Sequence, residues 1–364
     1  MIHGRKGAHG VENSSFLREQ CARYPALRPQ DLLKAIHQSV FGCGHFVADE
    51  AEAAARLWRE LETVTPTGGP DAERLGGNFG RVHLRACFRL GLSAETLLKL
   101  FVLSAREKCG SDLSAEALLE EALTLTRGGA LSFGYEEMAA AAEEWRRAGY
   151  PLCRHSEAFR AAYAPAYRVV RWEMAWALPL FAAIDRKLAE NGRVVLAIEG
   201  GAGSGKTTLA DLLRRVYGAA VFHMDDFFLR PEQRTAARLA EPGGNVDRER
   251  FLEEVLGPLS RSTGVVRYRP YDCAVQALAE PVEVSPAALT VVEGAYSMHP
   301  ALADHYDLSV FLRQTPEIQR RRILHRNGAA AAERFFSVWI PMEDRYFEAF
   351  DTADRCDLIL EVEP

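Results

Sequence analysis

Eight residues near the middle of the chain, Gly200-Gly201-Ala202-Gly203-Ser204-Gly205-Lys206-Thr207, constrain its fold more than any other stretch. They follow the apolar run 194–198 and precede the helical run 208–216, so they fill a strand-to-helix turn in the pattern G-x-x-x-x-G-K-[ST]. Glycines let such a turn curl until its backbone N–H groups face inward, and the helix N-terminus that follows adds donors and a favourable dipole. A cradle of that kind holds phosphate oxygens. Lys206 is expected to reach the outer phosphates of a nucleotide as a point charge, Thr207 to place its hydroxyl on a bridging magnesium ion, and Thr208 to add a phosphate contact. ATP and Mg2+ are therefore the expected nucleotide and metal, with the preference between ATP and GTP left open by the motif.

The surroundings of the loop agree with it. Four further apolar runs, at 219–222, 289–292, 308–312 and 358–360, alternate with helical stretches. Strands that alternate with helices imply right-handed crossovers and a parallel sheet covered on both faces. The fold expected for 192–364 is thus an α/β P-loop NTPase sheet. Thr315-Pro316-Glu317 opens one of its helices with an N-cap, a proline at the first position and an early acid. Between 31 and 188 the apolar residues instead recur at helical spacing, as in Leu32, Leu33, Ile36 and Val40. This predicts an all-α N-terminal domain over 1–165 and a connecting helix over 166–191, bent by Pro179 and stopped at Asn191-Gly192.

A length of 364 residues suits two domains. Lys plus Arg number 44 against 50 Asp plus Glu, a net charge of -6, which argues against nucleic acid as the principal partner. Seven scattered cysteines with no CxxC pair read as reduced thiols and give no zinc signature. The start of the chain lacks an apolar signal core and no apolar stretch is long enough to span a bilayer, so a cytoplasmic protein with no membrane partner is expected.

A phosphate cradle alone does not separate kinases from ATPases or switches. The second strand runs into His223-Met224-Asp225-Asp226-Phe227-Phe228, which puts two carboxylates where strand ends meet the ligand crevice of an open parallel sheet. One of them could take the proton of an acceptor; Asp225 is the preferred base and Asp226 its competitor on the substrate side. Further on, Arg320, Arg321, Arg322 and Arg326 lie on one helix, and Arg322 and Arg326 share a face of it. A lid that carried those two onto the transferring group would stabilise the charge that develops there. A solvated basic helix fits the same residues.

At this point the C-terminal half resembles the phosphoribulokinase and uridine kinase family, whose second strand ends in an Asp followed by aromatic residues. Gly244-Asn245-Val246-Asp247 is similar to that family's acceptor-binding Asn-x-Asp, Arg269-Pro270-Tyr271-Asp272 to its Pro-x-Tyr-Asp loop, and Val292-Glu293-Gly294 to its Glu-Gly strand end. The resemblance implies Asp225 as general base, Asp247 and Tyr271 against the acceptor, and Glu293 near magnesium. It implies a kinase that moves the γ-phosphoryl group of ATP to a hydroxyl of a small molecule, as a uridine kinase does. The loop then reads Cys273-Ala274-Val275-Gln276, without the His and Arg of uridine kinases. Pantothenate, glycerate or a sugar phosphate remain alternative acceptors, and a nucleotide-dependent switch without an acceptor is the alternative class.

No motif with a known mechanism precedes residue 165. Polar residues gather at His37, Cys43, His45 and Asp49, and again at Asn78, Arg81, His83 and Arg85. They read either as a second pocket, with an anion near His83 and its arginines, or as helix-end bonding and packing. The acceptor, the oligomeric state and the role of this half are left open.

Overall fold

The computed structural model describes residues 6–43, 49–66, 68–106, 110–261 and 264–363, with side chains described from Ser15 onward. His45, Gly44 and Cys109 lie outside them. The chain divides into two units, Met1–Ala182 and Ala183–Pro364. Among the described residues no helix is long and apolar enough to cross a membrane. Six described cysteines take part in no disulfide, and of these Cys21 and Cys43 are buried.

The first unit is mainly helical, and the helices start where the sequence supplies caps. Asp49 accepts from the N–H of Ala51 and Glu52 ahead of the helix Glu50–Leu61, and Ser93 and Ser111 do the same for Ala94–Ala105 and Asp112–Arg127. The helical expectation nevertheless omitted a three-stranded antiparallel sheet, in the order β1 (Ala72–Arg74), β2 (Phe79–His83) and β3 (Tyr167–Arg171). All five residues of β2 are buried, so its sequence shows no alternation of polar and apolar positions to mark a strand. The connecting helix expected over 166–191 is corrected in the same way. Its first residues form β3, a short helix Trp172–Ala175 follows, and the helix Leu178–Asn191 begins anew. Pro179 therefore stands in the first turn of that helix, where its missing N–H costs nothing, and it bends no longer one.

The second unit is built on the expected parallel sheet. Strands β4 (Val194–Gly200), β5 (Ala220–His223), β10 (Leu289–Glu293), β11 (Leu308–Arg313) and β12 (Leu358–Glu361) lie in the order β12-β11-β4-β10-β5. Every pairing is parallel, and Glu293 stands level with both Ile198 and His223. Three strand ends thus reach one edge at the same height, which is where a sheet of this kind opens its crevice. Between β5 and β10 the chain adds two small antiparallel pairs: β6 (Val266–Tyr268) with β9 (Val282–Val284), and β7 (Tyr271–Asp272) with β8 (Ala277–Leu278). Phe222, Met224, Phe227, Phe251, Tyr268 and Tyr346 fill the core beneath that edge.

Candidate active site

The turn at 200–207 links β4 to the helix Lys206–Tyr217. Gly200 has φ +147°, and a Cβ there would stand 2.8 Å from the Leu312 carbonyl oxygen of the neighbouring strand, so no other residue fits the position. Gly205 precedes the helix at φ +99°. Lys206 Nζ donates to the carbonyls of Gly200 (2.7 Å) and Gly201 (3.0 Å), which lays the ammonium across the loop. Thr207 and Thr208 are exposed on the first helical turn, while Ser204 is buried with its hydroxyl unpartnered among the described residues.

Glu293 ends β10 beside this turn. Its Oε1 accepts from Thr207 Oγ1 at 3.1 Å and bonds His223 Nδ1 at 2.6 Å; the hydrogen bond to Glu293 holds the imidazole above its usual range. A hydroxyl and a carboxylate side by side are hard oxygen donors that suit Mg2+, an ion that takes one or two protein ligands and fills its shell with phosphate and water. Among the described residues no group of three or more His, Cys, Asp or Glu gathers to hold a metal.

The two aspartates that follow β5 occupy a single tight turn, Met224–Phe227, and the burial of Met224 and Phe227 leaves Asp225 and Asp226 facing outward. They differ in what holds them. Asp226 Oδ2 accepts from Tyr268 OH at 2.9 Å, and its carbonyl accepts from Arg250 Nη2 at 3.1 Å. Asp225 faces the solvent of the crevice, yet the protein around it displaces enough water to push its carboxyl above the usual range. Glu293 adds to that rise and Lys206 opposes it.

The remaining candidates divide. Asp247 is buried and caps the helix Arg248–Phe251. Its carboxylate accepts from the Arg250 N–H at 3.2 Å and from Gln233 Nε2 at 2.8 Å, and it faces the Arg250 guanidinium at 3.6 Å. Tyr271 is likewise buried, and its hydroxyl accepts from Arg234 Nη2 at 2.7 Å. Both are already engaged by the protein. Arg322 comes to the loop, with Nη1 3.4 Å from the Gly203 carbonyl and 3.3 Å from that of Ser204. Arg326 does not: it is exposed, bonds Asn327 Oδ1 at 2.9 Å and lies over Phe335. One turn along the helix is about 5.4 Å, which carries it past the loop that Arg322 reaches.

Two acids at the site gave no motif in the sequence. Glu199, fully buried just before the loop, accepts from the N–H of Gly200 (2.8 Å) and Met298 (3.0 Å) and from Tyr346 OH (3.1 Å). Burial pushes its carboxyl up to about 7, against the pull of those donors. Glu343, on the helix Ile340–Phe350, reaches back so that its Oε2 accepts from the Ala202 N–H at 2.8 Å. Burial pushes it up to about 6, with Lys206 acting in the opposite direction. A charged residue between the apolar run 194–198 and the glycine turn was the available signal for Glu199. Glu343 had none, since 141 residues separate it from its partner.

No family model matches the chain and no curated protein matches it. Among solved structures, one described as a possible uridine kinase from Bacillus stearothermophilus aligns at 23% identity with a TM-score of 0.38, covering 50% of this chain and 98% of that one. A shikimate kinase from Bacteroides thetaiotaomicron aligns at 13% identity with a TM-score of 0.24, covering 46% and 86%. These likenesses concern one half of the chain. The P-loop fold of that half rests on its own strand order and on the turn at 200–207.

Proposed function

We propose that the second unit is an ATP-dependent kinase that transfers the γ-phosphoryl group to a hydroxyl of a small molecule. The observation that carries this reading is Asp225. It is a carboxylate at a strand end, within the electrostatic reach of Lys206 and Glu293, with a raised affinity for a proton and no hydrogen bond or ion pair of its own among the described residues. A switch has no use for a proton acceptor so placed, and an ATPase would spend it on water, which gives a basal rate that no acceptor raises.

In this reading the residues at 200–208 hold the triphosphate through backbone N–H groups, and Lys206 leaves the Gly200 and Gly201 carbonyls for the outer phosphates. Thr207 and Glu293 would hold Mg2+, which when bound neutralises charge on the phosphates. The acceptor oxygen forms its bond to the γ-phosphorus as the bond to the bridging oxygen breaks. ADP departs with that electron pair, and the hydroxyl proton passes to Asp225. Because the transition state is loose, Asp225 serves as much to orient the hydroxyl as to deprotonate it. Arg322, already at the loop, is the lid arginine best placed to follow the migrating charge.

Asp226, Asp247 and Tyr271 support the acceptor side indirectly, as the wall behind Asp225. The absent His and Arg after Asp272 leave the acceptor unassigned between nucleosides and other small alcohols. The experiment is Asp225→Asn with ATP, Mg2+ and a panel of nucleosides, vitamins and sugar acids. Acceptor-stimulated ADP release by the native chain should fall by about 10²- to 10⁴-fold in the variant, with ATP affinity unchanged. Equal turnover in the variant, or a basal rate that no acceptor raises, would remove the kinase reading.

A further inference from the structure

The first unit holds a second concave site that the phosphoryl-transfer reading does not use. A cavity of about 200 Å³ opens among the helices Pro29–Phe41, Glu50–Leu61 and Ala94–Ala105 and the strand β3. Ala53, Phe101 and Val169 give it apolar walls, and Lys34, Arg56 and Arg168 give it three cationic side chains. Among the described residues that line it, Glu60 is the one acid.

Of the two readings open for His83 and its arginines, packing within the protein is the one seen, with a carboxylate of the chain beside them. Glu73, fully buried, sits 2.9 Å from Arg81 Nη1 and 3.9 Å from His83 Nε2. Arg81 spends its other donors on Gln38 and Gln20. His155 and Tyr167 belong to the cavity wall: His155 Nε2 bonds Tyr167 OH at 2.6 Å, and its Nδ1 bonds Asp31, which is not among the lining residues, at 3.0 Å. Apart from His83 Nε2, which has no hydrogen-bond partner among the described residues, these polar groups are satisfied from within and fix the shape of the site.

Arg168 is less fully answered. Arg168 is 7% exposed and gives Nη1 to Glu60 at 2.8 Å, but its Nη2 is buried and has no hydrogen-bond partner among the described residues. An unmet guanidinium donor away from water is costly. Lys34, also buried, donates to the Cys153 carbonyl, and burial pushes its ammonium down to about 8. Arg56 pairs with Glu52 on the exposed face of its own helix, a contact too weak to cancel its charge at the cavity.

We propose that this cavity binds a small organic oxyanion, a carboxylate or a phosphate monoester. Arg168 and Lys34 take the charged end and the body lies along Ala53, Phe101 and Val169. A planar guanidinium with an open edge matches an oxyanion, and the apolar walls favour a ligand with a carbon body over a bare ion.

The test is calorimetry on the full chain with butyrate, benzoate and glycerol 3-phosphate, each titrated to millimolar concentration. At least one should bind saturably; which of them does so distinguishes a carboxylate ligand from a phosphate ester. Affinity should drop by about tenfold or more in Arg168→Met. It should drop equally in Ala53→Met, which fills the cavity and leaves every charge in place, so the answer survives if the arginine variant fails to fold. Lys206→Ala should bind as the native chain does, since it alters only the phosphate cradle. Absence of binding by all three probes, binding that Ala53→Met leaves unchanged, or binding abolished by Lys206→Ala would overturn the proposal.

Discussion

Glu343 stands on a loop amide that a triphosphate would approach, so replacing it tests how the cradle handles charge. Its Oε2 is 2.8 Å from the Ala202 nitrogen. Burial raises its carboxyl to about 6, Lys206 pulls it down, and Asp225 and Asp344 push it further up. At pH 7 to 8 the group is therefore ionised in the absence of nucleotide. Phosphate charge brought beside it raises its proton affinity again, so binding should take up a proton and weaken as the pH rises. If the bound state requires a neutral carboxyl, a starting value near 6 gives about a ninefold loss of affinity between pH 7 and 8. Glu343→Gln is neutral throughout and should show a flat profile, with affinity near that of the native chain at low pH. Calorimetry of ATP binding in two buffers of different ionisation enthalpy reads the proton uptake directly. A native chain that takes up no proton over this range, or a variant that keeps the slope, would show that Glu343 does not titrate with nucleotide binding.

Two further outcomes follow from the geometry. Arg81→Met removes one partner of the buried pair with Glu73 and leaves Gln38 and Gln20 facing an apolar side chain. Breaking such a pair costs about 3–5 kcal/mol, toward the lower end here because Arg23 also reaches Glu73; denaturant titration should show it, and an unchanged midpoint would contradict it. Thr207→Val keeps the branched shape on the first helical turn but loses the hydroxyl beside Glu293; the Mg2+ concentration for half-maximal turnover should rise about tenfold, and an unshifted curve would remove Thr207 from the metal site.

The central sheet was legible because its strands are short apolar runs bounded by glycine or charge, and all five lie within two residues of the runs read from sequence. The sheet of the first unit was not. β3 reads Tyr167-Arg168-Val169-Val170-Arg171, and next to the aromatic run that follows it this passes for one helix. The phosphate cradle was written in a contiguous motif. The difference between Asp225 and Asp226 was not, since it depends on Tyr268, 42 residues further along. Helical spacing put Arg322 and Arg326 on one face, but a shared face does not give a shared reach.

If the backbone at 200–207 cradles the phosphates of a nucleotide, titration of the pure protein with ATP and Mg2+ must show it. Saturable binding with one nucleotide per chain, weakened at least tenfold in Lys206→Ala, is the expected result. No heat of binding in the native chain, or binding that Lys206→Ala leaves untouched, would contradict it.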